Sequence, residues 1–148
     1  MNPTDTTARG QTDTLSMEFE LKHPPEKVWR ALTDPALLSE WLLPAIGFRP
    51  EAGASFALKT QPQPGWDGVV RCRVLESEPP RKLSYTWTVG DMFLDTVVTF
   101  TLAATPAGTR LSLEQSGFKP EQKQAFGGAR YGWKLMGGRL VELLERTA

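Results

Sequence analysis

The 148-residue chain is short of the residues that most chemistry needs. It has one cysteine, Cys72, which excludes an internal disulfide and any cysteine-built structural zinc site. It has one histidine, His23, which removes most metal-ligand sets and most catalytic triads. Charge of neither sign is in excess: 17 lysines and arginines face 17 aspartates and glutamates. A nucleic-acid binder normally carries a basic surface, so that balance argues against one. No apolar run approaches the length of a membrane span, and no membrane insertion is expected. The N-terminus lacks the apolar core of a signal peptide, so a cytoplasmic protein is expected. Nucleophile elbow, phosphate loop and paired histidine with carboxylate are all missing. No metal and no cofactor is expected, and the reading leans away from an enzyme.

What is present is well punctuated. Pro24-Pro25-Glu26-Lys27-Val28-Trp29-Arg30-Ala31-Leu32-Thr33-Asp34-Pro35 reads as a helix with a marked start and stop. Proline fits a first helical turn, where its missing N–H would be unpaired anyway. Val28, Trp29 and Leu32 recur at helical spacing. Asp34 is placed as the N-cap of a second short helix, with Pro35 first in it and Leu37, Leu38 and Trp41 following.

Strand signals surround this pair. Met17, Phe19 and Leu21 alternate with charged residues, and Ala54, Phe56 and Leu58 repeat the pattern. Val70, Cys72 and Val74 alternate with Arg71 and Arg73, and Glu76 continues their parity. Leu83, Tyr85 and Trp87 form another such run, then Leu94, Thr96, Val98, Phe100 and Leu102, then Leu111 and Leu113. One-faced alternation throughout is the mark of an antiparallel sheet solvated on one side. Breaks are expected at 61–65, 78–81, Gly90-Asp91 and 105–108. Residues 1–14 are polar and aperiodic, and are expected to be a disordered tail before a single domain over 15–148.

The apolar sheet face needs a cover, and the C-terminal segment supplies one. Phe126, Ala129, Trp133, Met136, Gly137, Leu140 and Leu144 fall on one helical stripe. Gly127, Gly128, Gly132, Gly137 and Gly138 lie in or beside it. Each glycine costs about 1 kcal/mol against alanine inside a helix. Two readings stand: the helix starts after Gly128 and Gly137 allows close approach to the sheet, or the missing side chains leave room for a ligand.

The candidate ligand-binding residues follow from these faces. Phe56, Val70, Cys72, Tyr85, Trp87 and Phe100 share the inner sheet face. Trp133 and Gly137 oppose them on the helix stripe, with Arg130 on its flank. Trp41 and Trp66 lie near loops at the expected open end, as aromatic walls whose N–H groups need partners. Cys72 reads as a small buried packing residue, and His23 as an exposed junction residue.

The helix block resembles the "PPEkVWeALTdPe…W" signature of the SRPBCC superfamily. Within it, the chain is similar to the branch named after the activator of the heat-shock-protein-90 ATPase (AHSA1-like). Glu78-Pro79-Pro80-Arg81-Lys82-Leu83-Ser84-Tyr85-Thr86-Trp87, Val98-Thr99-Phe100-Thr101-Leu102, Gly108-Thr109-Arg110-Leu111, Gly132-Trp133 and Leu140 continue the resemblance. It implies an α+β helix-grip fold: a curved antiparallel sheet wrapped around a long C-terminal helix, with two short helices after the first strand. The expected function is binding of a hydrophobic or aromatic small molecule between sheet and helix, by a monomer or weak dimer. The resemblance also implies two alternatives, a polyketide cyclase or dehydratase-like enzyme and a chaperone-cofactor-like domain with a protein partner. The eukaryotic proteins of the second kind carry a further N-terminal domain, which this sequence is not expected to have.

Overall fold

Proline placement and strand alternation reappear directly in the architecture. The computed structural model describes residues 3–62, 64, 66–90 and 94–147. The elements in chain order are β1 (Thr4–Asp5), β2 (Thr14–Leu21), α1 (Pro25–Thr33), α2 (Pro35–Trp41), β3 (Ala45–Ile46) and β4 (Ser55–Lys59). They continue with β5 (Val69–Glu78), β6 (Lys82–Val89), β7 (Leu94–Thr105), β8 (Gly108–Ser116) and α3 (Lys123–Arg146). All strands pair antiparallel in one sheet of order β1-β2-β8-β7-β6-β5-β4-β3. The short strands β1 and β3 at its two edges escape sequence reading, because two residues show no alternation.

The helix pair forms as its prolines dictate. Pro25 opens α1, and Pro35 opens α2. Asp34 caps α2 by accepting a hydrogen bond from the Ala36 N–H at 2.9 Å. Val28, Ala31 and Leu32 are buried from α1, Leu38 and Trp41 from α2. Trp29 is half-buried against the core.

α3 lies across the sheet with Phe126, Trp133, Gly137, Leu140, Leu143 and Leu144 buried. Its last turn is held by α1: Lys27 Nζ donates to the carbonyls of Leu144 (2.8 Å) and Thr147 (2.7 Å). A cation there also meets the negative end of the helix dipole. α3 starts at Lys123, so Gly127 and Gly128 are inside it and not ahead of it as one reading had it.

Two further expectations are corrected. Part of the N-terminal tail is docked: Thr4 and Asp5 pair with Glu18 and Met17 of β2, and the Thr6 N–H donates to the Ser16 carbonyl at 2.9 Å. The segment is polar yet adds an edge strand, since backbone pairing needs no apolar side chain. Residues 1 and 2 of that tail, Gln63 and Gly65 of the 61–65 break and Asp91 of the Gly90-Asp91 break lie outside the described residues. Glu76 does not continue the inward parity of β5. The ladder shifts register between Val74 and Glu76, and Glu76 turns outward to pair with Lys82 at 3.3 Å.

Candidate functional site

Between the N-terminal half of α3 and the sheet lies a partly open cavity of about 470 Å³. Its size falls within the range of small-molecule sites. The sheet contributes Val70 from β5, Trp87 and Val89 from β6, Leu94 from β7 and Gln115 from β8. The helix contributes one face, from Gln124 and Ala125 through Gly128, Ala129, Gly132, Trp133 and Met136. Leu43, Thr60 and Trp66 close the loop side. Among the described residues, none of these is titratable, and the wall is overwhelmingly apolar.

The helix face explains part of the glycine content. A Cβ at Gly128 would meet nothing within 4 Å, and at Gly132 only the Met136 methyl at 3.8 Å. Both glycines border the cavity, so their missing side chains are space that stays empty. Gly137 does the opposite. A Cβ there would run into Cε2 of the Phe19 ring and stand 2.8 Å from its Cζ. Phe19 has filled the room that Gly137 leaves, so Gly137 is a close-approach point between α3 and β2 and does not line this cavity.

Two tryptophans form the floor. Trp87 and Trp133 lie 5.4 Å apart between ring centroids, tilted at 55°. Trp66 stands at the rim with its N–H donated to the Val69 carbonyl at 3.1 Å. Below them runs a buried polar chain. The Trp133 N–H donates to Gln115 Oε1 (2.8 Å), Gln115 Nε2 donates to Thr96 Oγ1 (2.9 Å), and Thr96 Oγ1 donates to the Trp87 carbonyl (2.9 Å). Register produces this: Thr96 faces Trp87 across β6 and β7, and Gln115 faces Val98, the next inward residue after Thr96.

Of the eleven residues expected at the site, four lie on the cavity wall: Trp66, Val70, Trp87 and Trp133. The other seven do not. Trp41 is turned into the core, its N–H donated to the Ala31 carbonyl at 2.8 Å and its ring edge-on to Phe100 at 6.4 Å. Phe56, Tyr85 and Phe100 pack on one another as ordinary core, with Phe56 and Tyr85 centroids 5.1 Å apart and Tyr85 and Phe100 6.0 Å apart. Cys72 is buried beside them, and burial pushes its thiol up to about 12. The same burial, with Cys72 adding to it, drives the Tyr85 phenol well above its ordinary value. Neither group is an acid or base near neutrality. Arg130 points away to the tail, where its guanidinium holds the Asp5 carboxylate. Gly137 meets Phe19, as described.

Sequence reading missed Gln115, although its signal was there. Leu111 and Leu113 set an inward parity on β8, and Gln115 continues it as a polar residue that is 1% exposed. His23 is largely covered, with Nδ1 3.2 Å from Lys27 Nζ. It sits at the strand-to-helix junction and borders a separate shallow depression with residues 104–108. Among the described residues, no group of three or more His, Cys, Asp or Glu could hold a metal ion. No described helix is long and apolar enough to cross a membrane.

Comparison with known proteins places these features in context. The family model of the activator of Hsp90 ATPase homolog 1-like protein matches residues 22–145. Among solved structures, protein MLL2253 from Mesorhizobium loti is 47% identical with a TM-score of 0.84, over 91% of this chain and 98% of that one. Protein CV1439 from Chromobacterium violaceum is 26% identical with a TM-score of 0.78, over 93% of this chain and 100% of that one. DynU16, a protein in the dynemicin biosynthetic locus, shares the fold at 23% identity and a TM-score of 0.78, over 92% of this chain and 48% of that one. No curated protein matches the chain.

Proposed function

The chain belongs to the activator of Hsp90 ATPase homolog 1-like family, and on that premise we propose that it binds a small apolar or aromatic molecule between α3 and the sheet. One observation carries the reading: a partly open cavity of about 470 Å³ with an apolar, tryptophan-lined wall. Burying apolar surface there is worth roughly 25 cal/mol per Å² before the costs of association. Stacking on Trp87 and Trp133 adds to it.

A cyclase or dehydratase of similar fold would need an acid and a base facing the substrate. Among the described residues, the titratable candidates all lie elsewhere. Glu76 pairs with Lys82, Arg130 pairs with Asp5, Asp95 is exposed, and Tyr85 is sealed in the core. That distribution favours a binder over an acid–base enzyme.

The test is a titration with diphenylmethane, followed by tryptophan emission and thermal midpoint. Saturable change in emission together with a raised midpoint supports the proposal. Unchanged emission and midpoint across diphenylmethane and a wider set of apolar ligands would sink it and favour a protein-interaction role.

A further inference from the structure

The buried polar chain has a fixed direction. The Trp133 indole is a donor only, and the Trp87 carbonyl is an acceptor only. With Trp133 donating, the atom of Gln115 that faces it must be Oε1. With the Thr96 hydroxyl proton given to the Trp87 carbonyl, the atom of Gln115 that faces Thr96 must be Nε2. A flipped carboxamide would lose the Trp133 bond outright, and would keep Thr96 only by taking its proton from the Trp87 carbonyl. Ambiguity in amide orientation, usual for glutamine, is removed here by the partners.

This arrangement leaves a definite remainder. A glutamine amide has two N–H donors and two lone pairs on oxygen. One donor goes to Thr96 and one lone pair to Trp133, and the second N–H makes no hydrogen bond among the described residues. Gln115 is 1% exposed, so the unused donor has little water to satisfy it. It is also the one buried polar side chain on the described cavity wall; Thr60 and Gln124 are exposed at the rim. A buried unsatisfied donor is costly, and a ligand that accepts from it recovers that cost.

We infer that Gln115 is the specificity-determining residue of the cavity, donating its second N–H to a carbonyl oxygen on an otherwise apolar, aromatic ligand. This rests on the apolar-ligand reading above and adds the chemical class: an aromatic ketone is preferred over the hydrocarbon of the same shape. Discrimination of this kind arises because the hydrocarbon leaves the buried donor unpaired.

The experiment uses benzophenone and diphenylmethane, which differ in one carbonyl, on the full chain and its Gln115→Met variant. The ratio of the diphenylmethane Kd to the benzophenone Kd should fall by about 3–10-fold in the variant, the net worth of one neutral hydrogen bond. Diphenylmethane affinity should change little, which controls for altered shape around Trp133. A second measurement covers a variant that fails to fold: the carbonyl band of 13C-labelled benzophenone bound to the wild-type chain should lie below its position in cyclohexane. An unchanged ratio in a folded variant, or a carbonyl band at the cyclohexane position, would overturn the inference while leaving apolar binding intact. Failure of benzophenone, diphenylmethane and the wider set of apolar ligands to bind would overturn both.

Discussion

Arg130 on α3 and Asp5 on β1 are joined by two hydrogen bonds, with Nε and Nη2 both donating to Oδ2 at 2.9 and 2.6 Å. The other carboxylate oxygen, Oδ1, accepts from the Thr7 N–H at 2.9 Å, and Lys134 stands 3.7 Å from Oδ2. A residue from the tail and one from the cover helix thus tie the sheet edge to α3.

That tie should be visible in acid. Burial alone would push the Asp5 carboxyl up, but hydrogen bonds from Thr7 and Arg130 outweigh it and bring it down to about 2. A carboxylate lowered on folding adds stability above its ordinary value of 3.8, and that stability is lost as pH falls toward 2. Asp5→Asn should therefore lower the thermal midpoint by about 2–4 °C at pH 7, for a part-exposed pair worth about 1 kcal/mol. The gap between variant and wild type should close between pH 4 and pH 2. Deleting residues 1–13 should cost at least as much as Asp5→Asn. A gap that persists unchanged at pH 2 would show that the carboxylate charge is not what matters.

Gly137→Ala should be among the most damaging small changes. The new methyl group collides with the Phe19 ring, which is 2% exposed and has no room to retreat. Overpacking of this kind costs about 1–3 kcal/mol, and denaturant unfolding should report it. A variant as stable as wild type would mean that α3 and β2 can separate freely.

Gly127 and Gly128 should respond in contrasting ways. Neither has a neighbour within 4 Å of a built Cβ, and both lie inside α3. Gly127→Ala should raise stability by about 0.5–1 kcal/mol through helix propensity, with ligand binding unchanged. Gly128 borders the cavity, so Gly128→Leu should keep stability and weaken diphenylmethane binding at least 10-fold. Calorimetric titration of both variants checks this. Full affinity in Gly128→Leu would place the ligand elsewhere.

Affinity for diphenylmethane should be flat from pH 5 to pH 9, because no described wall residue titrates. The two perturbed groups nearest the core, Cys72 and Tyr85, ionise only far above that range. A sigmoidal profile would require an ionisable group on the wall.

The fold was legible because its signals are local. Pro25, Asp34 and Pro35 mark helix ends by backbone chemistry, and the alternation in β2 and β4 to β8 marks one buried face. Site residues were less so, since strand parity tells inside from outside but not core from cavity. Trp87 and Tyr85 share a face of β6, yet Trp87 borders the cavity and Tyr85 packs into Phe56 and Phe100. The difference is tertiary, and alternation cannot show contacts such as Phe19 against Gly137, which joins residues 118 positions apart. Glu76 was misplaced by a bulge that alternation cannot show. Gln115 was the missed opportunity: a polar residue in an inward position is a stronger pointer to a site than another tryptophan.

The most direct test of ligand binding between α3 and the sheet uses the methionine methyl groups. The chain has four methionines, and Met136 borders the cavity while Met17, on β2, is sealed in the core. With 13C-methyl methionine and diphenylmethane, NMR should give ligand cross-relaxation to the Met136 methyl and to the Trp87 and Trp133 rings, and none to Met17. Bound ligand without contact to Met136, or with contacts confined to the exposed Tyr131 and Leu135 side of α3, would contradict the account.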